Sequence, residues 1–549
     1  MAAAVKGPVE VIPGTEIIFD NTQTQNAEGS AAAAAGGELV LIPRPTDNRD
    51  DPLNWGAAWK ATVLVNQFVF VFVSILTPLA IAPMTMIFEH EFDKTLPEVN
   101  MLFGATAITL GYANFVIVLA ANVWGRRLVI LVCGLVCVLA NVWQGLVTSY
   151  GSFIGARVIS GIGAAANESI MPMVVADMLF VHQRGRSMAL YFWAYFIGLF
   201  IGPIISGAIA SGISWRWFFW VCAILQGASL IFLLVAHPET KYERTYLPSS
   251  HGTTQVNVTA DAGKAEGGEA GSHQPAQNEA QATTTTTHAH ITNGRPSRAQ
   301  FALLPPGGRF HATRASVLRD VVSPLQILFL YPIVAWASLA MGFAANSLLA
   351  LNLTQAQVFG SPVGPYGFSP DQIGYVNFAF VVGAALALVT AGPLSDAVAL
   401  RRARKNGGVL EAEMRLPALI PYIAVNLVGM VVVAVGYQRA WPWEAIVVLG
   451  YTLVGVQVVG IPAIVISYAV DSYKTLPGEI MIAATIVKNT FGFGMIFYYN
   501  NWAARSGYIA PILLLMALTV GFSILGLAVF IPFGKKFRRM TKNSKLHAL

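Results

Sequence analysis

Twelve apolar stretches, each long enough to cross about 30 Å of hydrocarbon as a helix, leave this chain little freedom in what it can become. They fall near 61–87, 100–121, 128–148, 153–178, 187–211 and 216–236, then near 324–351, 371–395, 416–437, 443–467, 479–500 and 508–533. Inside lipid every backbone N–H and C=O must be satisfied within the protein, so segments of this length have to be helical. Of the 549 residues 55% are hydrophobic and 11% charged, against about a quarter charged in a soluble domain. The expected fold is therefore an all-α membrane protein with twelve transmembrane helices in two pseudo-symmetric six-helix halves.

The polar segments divide the chain. Residues 1–55, rich in Ala and Gly, read as a disordered cytoplasmic tail, and 241–320, with five threonines at 283–287, as a cytoplasmic low-complexity linker. The halves are then 56–240 and 321–534, followed by a basic tail at 535–549. No basic start followed by an apolar core opens the chain, so no cleavable signal peptide is expected. Threading twelve spans puts Arg126, Arg127, Arg184, Arg186, Arg401, Arg402, Arg404, Lys405, Arg415, Lys474 and the basic tail on one side, which predicts cytoplasmic termini. The sequon at Asn257 then lies inside and should be silent, while Asn352 sits too close to a span to favour glycosylation.

Charge and cysteine content exclude several functions. The excess of Lys+Arg (34) over Asp+Glu (28) is small, so no nucleic-acid partner is read from it. Cys133, Cys137 and Cys222 lie in apolar runs and indicate neither a disulfide framework nor a metal site. The chain has no G-x-x-x-x-G-K-[ST], H-E-x-x-H or G-x-S-x-G motif, so neither ATP binding nor enzymatic chemistry is expected. No cofactor is predicted.

Most of the remaining chemistry lies between Gly155 and Gly207. Arg157 and Glu168 are eleven residues apart, about three helical turns, on the face that carries Gly161 and Ala164. Glu168 is the one carboxylate placed deep within a span, and a buried charge costs on the order of 3 kcal/mol, so it should face a bundle interior or wet cavity. It reads as a proton acceptor or a counter-charge for a cationic solute, against the plainer reading of a structural acid satisfied by a neighbour. Arg157 lies about 16 Å from it by helical rise, too far for contact. Lys488, flanked by Thr485 and Asn489, could meet Glu168 across the half interface, bind an anion, or bond backbone. The halves also share a faint repeat: Gly161 and Asp177 fall opposite Gly455 and Asp471 at one constant offset, whereas Arg157 and Glu168 fall opposite Tyr451 and Pro462.

Several short motifs, in order and on the predicted sides, carry a family resemblance. They are Asp51-Pro52-Leu53-Asn54-Trp55, Gly125-Arg126-Arg127, Arg157 with Gly161 and Gly163, Gly198 with Gly202, Pro203 and Gly207, Trp215-Arg216-Trp217-Phe218, Gly392-Pro393-Leu394-Ser395-Asp396, and Glu413-Met414-Arg415-Leu416-Pro417. The chain resembles a major facilitator superfamily transporter, and within it the fungal twelve-span drug:proton antiporter branch. Asn122 and Val118 depart from the first-half signature, which usually has Asp and Gly there, and Ser206 replaces a glycine in the fifth span.

The resemblance implies proton-coupled alternating access, a small-molecule substrate and protons as partners, and a monomer in the plasma-membrane bilayer. It implies a coupling role for Arg157 beside Glu168, against the equal reading of Arg157 as a packing residue that bonds carbonyls of a neighbouring helix; a cavity lined as a set by Asn66, Trp336, Asn346, Gln457, Tyr468 and Lys488, although any one of the uncharged five is more often a helix–helix bond than a ligand contact; and an exchanger-type bend at Gly198, Gly202, Pro203 and Gly207. Asp177, Asp396 and Asp471 with Arg126 and Arg127 would form inner-gate salt bridges. Export is the expected direction. Uptake of a cationic amine or nutrient is the alternative within the class, and a non-transporting sensor signalling through the 241–318 loop the alternative outside it.

Overall fold

The computed structural model describes residues 14–17, 46, 48, 50–242, 294–304, 314–360, 365–406, 408–473 and 476–541. Among them are twelve helical spans long and apolar enough to cross a membrane. In the first half these are α1 (Ala57–Phe92), α2 (Leu96–Trp124), α3 (Arg126–Leu146), α4 (Tyr150–Met178), α5 (Leu190–Gly212) and α6 (Trp215–Ala236). In the second they are α7 (Pro332–Phe359), α8 (Pro370–Lys405), α9 (Ala412–Arg439), α10 (Ala445–Ser472), α11 (Pro477–Ser506) and α12 (Ile509–Thr541).

The connections are short and the chain caps its own helix ends. Thr95 and Glu98 form a capping box at the start of α2, and Ser149 accepts from the Ser152 N–H at the start of α4. Gly125 turns the chain from α2 into α3 at φ +93°, a conformation only glycine takes freely, and a Cβ there would run into the Glu239 carboxylate. That carboxylate fills the space for a reason: it accepts from the N–H groups of Arg126 at 2.9 Å and Arg127 at 3.0 Å, placing negative charge at the positive end of α3.

Within the first half α1 packs on α5 and α6, and α3 on α4 and α6; within the second α7 packs on α10 and α11, and α8 on α10. The halves meet where α2 and α4 touch α11 and where α5 touches α8. The fifth-span signature sets two of these contacts. A Cβ at Gly198 would stand 2.7 Å from the Phe72 carbonyl oxygen, and one at Gly202 would enter that of Leu76, so α5 approaches α1 backbone to backbone. Ser206 keeps the pattern, its hydroxyl donating to the Ala80 carbonyl at 2.5 Å. Gly207 instead meets Pro370, and Gly374 meets the Pro203 carbonyl, so the far end of the same stripe seats α5 on α8 across the halves.

Three boundaries differ from the sequence reading. The apolar run at 324–351 is not one span: a helix Arg314–Leu330 ends at Tyr331, and α7 begins at Pro332. A residue before proline is pushed out of the helical region, which explains the break. The 1–55 tail is ordered in places, since Thr15–Ile17 (β1) pairs antiparallel with Val409–Glu411 (β2), and Asp51 caps a buried turn at Pro52–Asn54. The 241–320 linker likewise holds a docked piece at 294–304, where Gln300 donates to the Asp50 carbonyl at 2.7 Å and Phe301 meets Trp59 edge to face. Residues 1–13, 18–45, 243–293 and 305–313, with the sequon at Asn257 and the threonine run, lie outside the described residues, as do Lys474, the side chains of Arg184 and Arg186, and 542–549.

Candidate functional site

α4 carries the acid on a weakened stretch of helix. The span is broken at Ala165, three residues before Glu168, and Pro172 has no N–H to give the Glu168 carbonyl four residues behind it. Glu168 is 2% exposed. Its Oε1 accepts from the Tyr195 hydroxyl of α5 at 2.6 Å and forms an ion pair with Lys488 Nζ of α11, while Oε2 accepts from the Asn489 amide at 3.3 Å. Lys488 Nζ also donates to the Tyr195 hydroxyl at 2.9 Å. α4 and α5 belong to one half and α11 to the other, so this cluster is a polar bond between the halves. Two charges taken out of water are tolerated only when mutually satisfied, and removing one partner of such a pair typically costs about 3–5 kcal/mol.

A partly open cavity adjoins the cluster. Its polar wall consists of Tyr195, Lys488, Asn489, Asn346 and Thr106, and the rest is apolar, from α1, α2, α5, α7 and α11. Glu168 is not part of that wall. The acid stands behind three residues that are, and the counter-charge expected from a visiting solute is supplied by Lys488. Of the readings the sequence left open, the meeting of Lys488 with Glu168 across the half interface is the one the structure displays.

Of the two readings open for the polar residues of spans one, seven and ten, most take the helix-to-helix one. Asn346 and Lys488 lie along the cavity, but Asn66, Trp336, Gln457 and Tyr468 do not. Asn66 donates to the Phe232 carbonyl at 3.1 Å, Trp336 to that of Phe522 at 2.7 Å, and Gln457 to the Ser347 hydroxyl at 3.0 Å, while Tyr468 packs against Trp336 and Phe530. These residues join helix to helix, a use worth about 0.6 kcal/mol each.

Arg157 is fully buried and far from this cluster in its contacts. Its guanidinium donates to the carbonyls of Leu102 at 3.1 Å, Thr77 at 3.0 Å and Pro78 at 2.8 Å, and to Gln144 Oε1 at 3.4 Å. Thr77 and Pro78 end the first helical segment of α1 (Ala57–Leu79), where carbonyls lack intrahelical donors. Arg157 thus clamps α4 to α1, α2 and α3, all in one half.

At the end of the bundle that carries the Arg126–Arg127 turn, each half has its own charge network. Arg126 bonds Asp177 at 3.2 Å and Asn122 Oδ1 at 3.2 Å; Arg415 bonds Asp396 at 2.5 Å and Asp471 at 2.7 Å. The two sets are pseudo-symmetric, with Asn122 in the place of Asp396, and none of these bonds crosses between the halves. Arg127 stands apart, donating to the carbonyls of Leu234 and His237 at the end of α6. A third pair was not foreseen: fully buried Arg538 grips Glu413 with two bonds, at 2.7 and 2.5 Å, and reaches Thr15 of β1 at 3.2 Å. Among the described residues no group of three or more His, Cys, Asp or Glu is placed to hold a metal ion.

Two sequence-distant halves meeting around a buried ionic cluster and a central cavity define a secondary-transporter architecture. The model for the Major Facilitator Superfamily matches residues 63–497, and the chain belongs to that family. It is 27% identical to an uncharacterized MFS-type transporter of Schizosaccharomyces pombe, over 91% of this chain and 88% of the relative. It is 26% identical to Protein HOL1 of Saccharomyces cerevisiae over 98% and 97%, and 23% identical to a probable efflux pump, mfs2, of Aspergillus flavus over 84% and 99%. Among solved structures it resembles the proton:xylose symporter XylE, with TM-score 0.54 and 14% identity over 87% of this chain and 96% of that one. The human organic anion transporter MFSD10 matches with TM-score 0.52 and 14% identity over 85% and 99%. At that identity the likeness is one of fold.

Proposed function

We propose that this chain is a proton-coupled secondary transporter that exports a small organic solute in exchange for protons, working as a monomer in the plasma membrane with both termini cytoplasmic. The observation that carries the proposal is the Glu168–Lys488 pair, a buried ionic bond between the halves at the wall of the central cavity. A proton on Glu168 leaves the Lys488 ammonium facing a neutral acid in place of a carboxylate and loosens α4 from α11, so protonation and the rocking of the halves are linked through one bond. The likeness to a probable efflux pump and the α5 stripe support export.

The cavity bears on the solute. Its wall is mostly apolar, and the charged group it presents is an ammonium, so an incoming amine would be repelled before reaching the acid. A predominantly apolar solute with hydrogen-bond acceptors suits Tyr195, Asn346, Asn489 and Thr106 better than a cationic amine does. The intra-half networks around Arg126 and Arg415 would act as gate struts that keep each half rigid while it rocks.

The test is a flux panel of fluorescent apolar dyes, organic acids and amines in vesicles with imposed pH gradients, comparing the parent with Glu168→Gln. Export of an apolar probe should follow the pH gradient in the parent and become pH-independent in the variant. Inward accumulation that collapses with the gradient would overturn the export direction, and an unchanged pH response in Glu168→Gln would remove the acid from the mechanism.

A further inference from the structure

Glu168 has no face on the cavity, so a proton must reach it through a residue that both lines the cavity and bonds the carboxylate. Three residues qualify: Tyr195, Lys488 and Asn489. The Asn489 amide donates to Oε2 but has no proton it can pass on. Lys488 is the positive partner itself, and as a lining residue it is where a proton from the cavity enters the cluster. The Tyr195 hydroxyl both donates and accepts, and it bridges the acid and the amine, giving its hydrogen to Glu168 at 2.6 Å and taking one from Lys488 at 2.9 Å. Its ring lies under the ammonium, with Nζ 4.8 Å from the centroid, so the phenol and the amine are held in one geometry.

The local packing has little else to hold this hydroxyl in place. Tyr191, one turn earlier on α5, packs against Tyr195 with ring centroids 6.3 Å apart, and Phe196 meets it edge to face at 5.3 Å. These contacts fix the ring and leave the hydroxyl its two polar partners. Among the described residues the ionisable groups facing Glu168 are Tyr195 and Lys488, with the Tyr191 phenol close by in the same burial.

We propose that Tyr195 is the positioning residue that links the cavity to Glu168, keeping the carboxylate ionised and relaying its proton. The inference rests on the proton-coupled reading given above. In the relay an N–H bond of Lys488 breaks as an O–H bond forms at Tyr195, while the original Tyr195 O–H breaks as one forms at Glu168 Oε1. The pair passes from charged to neutral, and Lys488 regains its proton from solution entering the cavity. The net result is one proton moved from the cavity to an acid that does not touch it.

The test needs no transported solute. Full-length protein in nanodiscs is titrated by infrared difference spectroscopy, following the C=O stretch of the protonated buried carboxyl, which Glu168→Gln identifies by its loss. Tyr195→Phe removes one donor to the carboxylate, and its titration midpoint should move up by about one pH unit or more, as expected for a hydrogen bond to a charged group. A fluorinated tyrosine at 195, a stronger donor in the same place, should move it down. A ring that only packs would give neither shift. Superimposable titrations for the parent and both Tyr195 variants would overturn the Tyr195 assignment and leave Glu168 as the proton site. If no carboxyl band is lost in Glu168→Gln, the proton-coupled reading fails and Tyr195 with it. Should Tyr195→Phe not reach the membrane, the fluorinated variant decides alone, and an unmoved midpoint refutes the proposal.

Discussion

Replacing Gly198 by alanine adds a single methyl group where α5 meets α1, and the structure fixes where it must go. The new Cβ would lie 2.7 Å from the Phe72 carbonyl oxygen and 3.3 Å from the Phe72 Cα, well inside the separation of about 3.5 Å at which nonbonded heavy atoms are comfortable. The obstacle is backbone on both sides, so no side-chain rotation relieves it and the two helices must move apart. Overpacking of this kind costs about 1–3 kcal/mol. Gly227 on α6 provides the control, since a Cβ there meets nothing within 4 Å. At such an open site alanine should be neutral or gain about 0.5–1 kcal/mol from helix propensity. The two substitutions are chemically identical and should have opposite signs. Melting of the purified protein in nanodiscs, with proton-driven flux alongside, reads both. If Gly198→Ala melts at or above the temperature of Gly227→Ala, the close approach of α5 and α1 described here is wrong.

Two further outcomes follow from buried polar groups. Arg157→Met keeps the length of the side chain but orphans the helix-end carbonyls of Thr77 and Pro78, each costing about 1–3 kcal/mol if left dry; the variant should express poorly or melt early, and a stable, pH-blind variant would instead point to a direct coupling role. His237, just beyond α6, is buried against Arg127 and Gln67, and loss of solvation together with the nearby guanidinium holds its imidazole down at about 3 from an ordinary 6.5. The unfolded chain therefore takes up this proton first as pH falls, so the stability contributed is complete above about 6.5 and is lost toward about 3. At pH 5 the loss is about 2 kcal/mol, and His237→Asn should flatten that part of the melting-temperature profile, which a pH series between 5 and 7.5 would check.

The architecture was legible because lipid imposes it. Runs such as 128–148 have no alternative to a helix, and counting them gave both halves and the break between them. The meeting of Glu168 with Lys488 was also within reach, since two ionisable groups in apolar spans have few partners except each other. Facing was not legible. In a membrane the lipid side and the protein side of a helix are both apolar, so nothing in the pattern around Asn66, Trp336, Gln457 or Tyr468 distinguished a cavity from a helix contact. Tyr195 was hidden for a related reason: in the run Tyr191-Phe192-Trp193-Ala194-Tyr195-Phe196 it reads as one aromatic among several. Glu413 lies within a recognisable motif, yet its partner Arg538 is 125 positions away, beyond any local signal. The strand at Thr15–Ile17 escaped because three residues in an Ala- and Gly-rich tail carry no periodicity.

That short strand places the start of the chain in an unexpected place. Residues 50–55 rest against the first six helices, whereas Thr15–Ile17 is stitched to the α8–α9 connection and anchored by Arg538 of α12. A probe attached at Glu16 would therefore travel with the opposite bundle from the one its position in the sequence suggests. Paired with a second probe on α6, it would make the opening and closing of the two bundles a distance that can be followed from a single polypeptide's own front end.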